Sequence, residues 1–219
     1  MKIKILIFSM FMCLVAQAQN TDLVTKNFKF ADGVYSSHLA LRANKPNWVW
    51  DSINASVVTN PQTFLTQVEY LNYKPTGKSL NLDSIWCVVL DGIPYIKLPQ
   101  GATKKALASF AGLVVRGKIS YLAYEVTDSV QIPISAYNPY TGRPFMTKMM
   151  PQERVHVYEK LMRFENGELV DFTLNNFKRL IADDKQLLNT VQDLKPKELK
   201  EKLFKTLLIY DDRNPIYIN

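Results

Sequence analysis

Three turn signals constrain this chain more than any other feature. Asp91-Gly92, Gly117-Lys118 and Asn166-Gly167 each separate two runs of apolar and β-branched residues. Asp-Gly and Asn-Gly suit the tight turns whose twist matches that of paired strands. Ser84 to Leu90 therefore reads as a strand returning into Ile93 to Leu98, Leu113 to Arg116 as one returning into Ile119 to Val126, and Val155 to Phe164 as one returning into Glu168 to Phe172. Consecutive hairpins place sequence neighbours side by side, so the economical product is an antiparallel meander or a small bent sheet.

The flanks read differently. Ser36-Ser37 can cap a short helix that runs to about Ala43 and is stopped by Asn44-Lys45-Pro46, because the residue before proline disfavours helical geometry. Trp48 and Trp50, two apart, fall on one face of an extended segment, where they serve either as core anchors or as a ligand platform. Asn60-Pro61 has the form of a helix start, and Phe64, Leu65, Val68 and Leu71 have helical spacing. Thr66, Val68 and Tyr70 alternate as in a strand, so the reading is a short helix running into a strand. From Thr173 onward, apolar stripes at Leu174, Phe177, Leu180 and Ile181, then Leu187, Leu188 and Val191, then Leu199, Leu203, Leu207 and Leu208 predict helices laid over one face of the sheet. The expected fold class is α+β, an antiparallel meander or small bent sheet covered by C-terminal helices. It forms one domain over 19–219, with a β-rich core at about 63–172 and a helical part at about 173–212.

The first eighteen residues have the pattern of an export signal. Lys2 and Lys4 precede an apolar run from Ile5 to Val15, and Ala16-Gln17-Ala18 offers a small-x-small cleavage site. The mature chain is expected to begin at Gln19. The apolar run is too short to span a bilayer, which takes about 20 residues. Cys13 lies inside that run and lacks the small residues expected before a lipidated cysteine. After cleavage Cys87 stands alone, so no internal disulfide can form and stability must come from packing. Cys87 sits in Ile85-Trp86-Cys87-Val88-Val89-Leu90, where a buried thiol suits the apolar neighbours and Trp86 is the expected core anchor. The net charge of +7, of which the leader carries two, is spread along the chain. Its densest run, Lys195, Lys197, Lys200, Lys202 and Lys205, is broken by Glu198 and Glu201 and reads as a solvated helix face, not a nucleic-acid surface.

Several short motifs resemble a group of exported proteins of Bacteroidetes. These are Asp32-Gly33-Val34-Tyr35 with Asn44-Lys45-Pro46, Asp83-Ser84-Ile85-Trp86 before Asp91-Gly92, Phe172-Thr173-Leu174-Asn175-Asn176-Phe177, and Tyr210-Asp211-Asp212-Arg213-Asn214-Pro215-Ile216-Tyr217. The chain departs from that pattern at Cys87, where it has glycine, and at Asp211-Asp212, where it has Asn-Glu. The resemblance brings no activity, cofactor or catalytic residue. It implies a location in the cell envelope of a diderm bacterium, in the periplasm or outside the cell.

Catalytic patterns are weak. Ser36-Ser37-His38 sets hydroxyls beside an imidazole without the orienting acid that a triad needs. Asp183-Asp184 and Asp211-Asp212 lie in no calcium loop, and the sequence contains no phosphate loop, zinc pattern or nucleophile elbow. No cofactor is implied. The best-supplied surface is Pro133 to Pro151, read as a proline-stiffened loop outside the sheet, with Tyr137, Tyr140 and Arg143 as candidate contact residues of types common at hot spots. The bland alternative is a connection whose aromatics pack back on the sheet. The function these features favour is a non-enzymatic envelope module that binds a protein or polymer partner. Its rival is an envelope hydrolase assembled around His38 or His156.

Overall fold

The hairpin turns close where the dipeptides fall. Asp91 and Gly92 have φ of 53° and 77°, a left-handed pair that glycine and aspartate tolerate, and they join strands whose register runs from Cys87 opposite Ile96 to Leu90 opposite Ile93. A computed structural model describes residues 22–25, 27–103, 107–192, 194 and 199–218. Its strands are β1 (Asp22–Leu23), β2 (Gly33–Tyr35), β3 (Ile53–Asn60), β4 (Leu65–Tyr73), β5 (Lys78–Ser79), β6 (Cys87–Leu90), β7 (Ile93–Lys97), β8 (Ala108–Val115), β9 (Ile119–Tyr137), β10 (Pro144–Arg163), β11 (Leu169–Asp171) and β12 (Tyr217–Ile218). The helices are α1 (His38–Arg42), α2 (Leu174–Leu180), α3 (Lys185–Gln192) and α4 (Leu199–Arg213). The export signal and Cys13 lie outside the described residues, as do Lys195, Lys197 and Glu198.

The main sheet runs β11-β10-β9-β8-β7-β6-β2, with β4 joined to β8 and carrying β3 and β5. All its pairs are antiparallel, and the seven-strand path curls into a half-barrel. This corrects the expected fold class: the protein is mostly β, 46% strand against 21% helix, and not α+β with a small sheet. Two segments make the difference. Of the short helix running into a strand expected after Asn60, the strand is present as β4, but residues 61–64 form the turn of a β-hairpin in place of the helix. There the Asn60 side-chain oxygen accepts the Gln62 and Thr63 amides, Phe64 turns through φ 51°, and β4 then alternates buried Thr66 and Val68 with more open neighbours. β9 and β10, expected to span only the sheet, run for 19 and 20 residues.

Alternation along the strands sorts the core into layers. Cys87, Val89, Ile96, Leu113, Leu122, Tyr124 and Val126 face one cluster with Tyr35, Leu41 and Phe164. Val88, Tyr95 and Phe110 face another with Val34, Val68 and Leu71, against which Trp48 and Trp50 pack half-buried. Trp50 Nε1 donates to the Val89 carbonyl at 2.7 Å, so the tryptophan pair anchors the core. Trp86 is itself only half-buried; Ile85 and Cys87 on either side are the enclosed residues. The Cys87 thiol is fully enclosed, and burial pushes its pKa well up, which leaves it inert.

The helices cover less than expected. α2, α3 and α4 bury Phe177, Leu180, Leu187, Val191, Leu203 and Leu207 against Ile119, Tyr121 and Leu161. They therefore cap only the base of β9 and β10. Thr173 caps α2 through the Asn176 amide, and Asp184 accepts the Leu187 amide at the start of α3. Among the described residues no helix is long and apolar enough to cross a membrane.

Candidate interaction surface

β9 and β10 leave the body as a two-stranded ribbon. The register is continuous from Arg163 opposite Ile119 to Pro144 opposite Tyr137, with one irregularity between Pro144 and Met146. At the base the ribbon has neighbours on both edges, β8 beside Tyr121 and Leu122 and β11 beside Lys160 to Met162. Beyond Thr127 and Val155 it pairs only with itself, for about eleven residues per strand or about 35 Å. Most of its side chains there are exposed.

The prolines explain how so long a ribbon holds. Pairs of an antiparallel ladder alternate between those that exchange both hydrogen bonds and those whose N–H groups point outward. Phe164 donates to the Lys118 carbonyl at one end and Asn138 to the Arg143 carbonyl at the other, which makes the even positions of β9 the hydrogen-bonded ones. Pro133 opposite Met149 and Pro151 opposite Gln131 then occupy outward-pointing positions, where the missing N–H costs the ribbon nothing. The expected loop from Pro133 to Pro151 is thus strand at both ends, and only 138–143 forms the loop.

That tip is built by Asn138. Its side-chain oxygen accepts the Tyr140 and Thr141 amides at 2.9 and 3.3 Å, and its carbonyl accepts the Gly142 amide at 2.8 Å. The three candidate residues come together around this turn. Tyr140 is 96% exposed and Tyr137 61%, and Arg143 is exposed, so none packs back on the sheet. Phe145, Met146, Met149 and Met150 follow, all exposed.

The histidines are not brought together. The His38 ring lies on α1, edge-on to Trp86 at 5.3 Å between centroids and over Gly167. Its Nε2 donates to the Phe164 carbonyl at 2.8 Å. Burial lowers its pKa, which keeps the imidazole neutral and structural. His156 stands exposed on the ribbon opposite Val126. Among the described residues no group of three or more His, Cys, Asp or Glu side chains is placed to hold a metal ion.

No family model, curated protein or solved structure matches this chain. The site is therefore read from its own geometry. One electrostatic cluster escaped the sequence, where the end of α4 meets the β8–β9 turn. Lys118 Nζ donates to Asp183 at 2.7 Å, and the Tyr210 hydroxyl donates to the same carboxylate at 2.8 Å. Although burial alone would raise it, these two donors hold the Asp183 carboxyl below its usual range. Asp211 accepts the Ile119 amide at 2.8 Å, and burial raises its pKa to about 7. It lies flat on Gly117, where a Cβ would come within 2.4 Å of the carboxylate. Arg116 turns inward to the Phe28 and Gly92 carbonyls. The Lys118–Asp183 and Ile119–Asp211 contacts tie the helical cap to the sheet across 65 and 92 residues of chain.

Proposed function

We propose that this protein is an exported cell-envelope module that works by binding a protein or polymer partner, and that the ribbon tip is its contact surface. The carrying observation is the tip: two tyrosines and an arginine held on a turn pinned by one asparagine, far from any covering element. A restrained turn loses less entropy on docking, and Tyr and Arg are the side chains that most often dominate interfaces. The leader pattern and the resemblance to exported proteins support the envelope location.

Replacing Tyr137, Tyr140 and Arg143 together by alanine is expected to leave the melting temperature nearly unchanged, since exposed substitutions shift stability by about 0.5 kcal/mol or less each. Capture of partners from crosslinked native cells should fall at least about tenfold, because each lost hot spot removes about 2 kcal/mol or more. A triple variant that stays folded and captures the same partners at parental yield would refute the reading. The export half is checked separately by intact mass: the mature chain should begin at Gln19 without lipid, and an acylated chain beginning at Cys13 would overturn it.

A further inference from the structure

Two cavities share a wall on the body of the protein, and no residue of β9 or β10 lines either of them. The larger, about 500 Å³, opens beside Trp86 between the end of β2, the 3-10 turn Leu82–Ser84 and the end of β7. The smaller, about 170 Å³, continues past Asp83, Lys97, Pro99 and Gln100 to the hydroxyls of Thr103 and Ser109. Together they make one groove, with an indole in its first part and a pair of hydroxyls in its second. Its larger part alone falls in the range of small-ligand sites, about 300–1,000 Å³.

Neighbours hold the groups of this groove in place. The His38 ring stands edge-on to the Trp86 indole at 69°, and the Trp86 amide and carbonyl are bonded to Tyr35 and Lys97. Lys97 Nζ donates to the Leu82 carbonyl at 2.7 Å and to Asp83 Oδ1 at 3.2 Å. The Asn81 side chain accepts the Asp83 amide at 2.9 Å, and Ser84 Oγ donates to the Asn81 carbonyl at 2.7 Å, which pins the turn that carries the aspartate. Groups oriented in advance lose little entropy when a ligand arrives.

The chemistry of the lining selects the ligand. Asp83 and Lys97 are the only charged residues among those that line the two cavities, and they are paired with each other. The groove is therefore neutral as a whole and favours neither an anion nor a cation. It is rich in unspent hydrogen-bonding capacity instead. Lys97 has used two of its three protons, the Asp83 side chain is 86% exposed, and the Trp86 N–H and the Gln100 amide have no partner among the described residues. A donor and an acceptor thus stand side by side near a half-buried indole. Neighbouring hydroxyls of a sugar ring satisfy both at once, one donating to the carboxylate and one accepting from the ammonium, while the C–H face of the ring packs on the indole. A peptide would need apolar anchors to pack its side chains on, but Ile85 and Leu98 beside Trp86 are only 1% and 3% exposed. Because the groove runs on beyond the first cavity, it suits several linked sugars better than one. From these features we infer that the groove binds a neutral oligosaccharide chain, with Trp86 as the stacking platform and Asp83 and Lys97 as the hydroxyl-reading pair.

The groove shares no residue with the ribbon tip, so this inference goes beyond the tip reading and does not rest on it. Titration of the purified protein with maltohexaose, cellohexaose and N-acetylchitohexaose, followed by calorimetry, should show saturable binding of at least one of them, with a change in tryptophan emission. The affinity should hold steady between about 0.05 and 0.5 M salt, since no net charge is engaged. Asp83→Ala removes an exposed carboxylate and should weaken binding at least about tenfold with little change in melting temperature. Trp86→Ala should weaken it as much, and Trp86→Phe, which keeps an aromatic face, should restore part of the loss even if the alanine variant folds poorly.

Failure of all three sugars to bind at millimolar concentration overturns the inference, as does binding that Asp83→Ala and a folded Trp86→Ala leave unchanged. A neutral Gly-Ser hexapeptide that binds as tightly as the best sugar would overturn it in favour of a peptide site. The variant lacking the Tyr137, Tyr140 and Arg143 side chains separates the two readings. If it binds the sugar at parental affinity but loses its captured partner, both stand; if it keeps both, the groove stands and the tip reading fails. If it loses the sugar, the site lies on the ribbon and the groove inference fails.

Discussion

Phe177→Ala is expected to lower stability by about 3–5 kcal/mol, the cost of removing a large buried ring and leaving a cavity. Phe177 is fully buried in α2, edge-on to Phe172 at 5.7 Å between centroids, and shares its cluster with Ile119, Tyr121 and Leu161. It is the side chain through which the helical cap grips the base of the ribbon. Since whole domains are held by about 5–15 kcal/mol, this single loss should move the denaturation midpoint far. Phe204, half-buried on the same cluster and edge-on to Tyr121 at 5.2 Å, serves as the graded control and should cost less when replaced by alanine. Urea denaturation of the two variants reads the difference. A Phe177→Ala protein that loses under about 1 kcal/mol would mean that the helices are not held at this point.

What the sequence made legible was local. Asp91-Gly92 closes its hairpin because the turn needs only its own two residues in left-handed geometry. Ser37 caps a helix as read, because a cap bonds an amide two or three residues away, and Thr173 and Asp184 cap their helices in the same local way. The start of the β3–β4 hairpin was read as a short helix because Phe64, Leu65, Val68 and Leu71 fit a helix, while Thr66, Val68 and Tyr70 fit the strand that is there. Tertiary pairing with β8, not propensity, decides between them. The ribbon was missed for a different reason. Prolines break a ladder or leave it intact according to which way the absent N–H would point, and that parity depends on a register set some twenty residues away.

The candidate surface shows the same division. Tyr137, Tyr140 and Arg143 were legible as lying at a turn because prolines, asparagine and glycine surround them, while the sequence left open whether the aromatics pack back on the sheet. Their position at the end of a ribbon, instead of on a loop beside the sheet, was not. The cluster of Lys118, Asp183, Tyr210 and Asp211 was illegible for a plainer reason. Its members are recruited from three elements distant in sequence, and nothing about Asp211 alone distinguishes a buried carboxyl resting on a glycine from a solvated one.

That carboxyl carries the second large expectation, a stability that falls as pH rises from about 4 to about 7. Asp211 titrates near 3.9 in the unfolded chain and at about 7 in the fold. Between those values the folded state binds the extra proton, and stability declines with pH wherever the folded state holds more protons. The whole stabilisation of the neutral form is present below about pH 4 and is lost once pH passes about 7, at most on the order of 4 kcal/mol for a shift of about three units. Two neighbours act differently and must be separated. His38, with a lowered pKa, makes stability rise with pH below its ordinary 6.5, whereas Asp183, held low by Lys118 and Tyr210, contributes only below its ordinary 3.8. Asp211→Asn isolates the one residue. The variant keeps an oxygen acceptor for the Ile119 amide but has no proton to lose. The difference in unfolding free energy, variant minus parent, should therefore rise steadily from pH 4 to pH 7 and then level off. A difference that stays flat across that window would show that Asp211 is already ionised in the fold, and that the Gly117 turn holds a charged carboxylate.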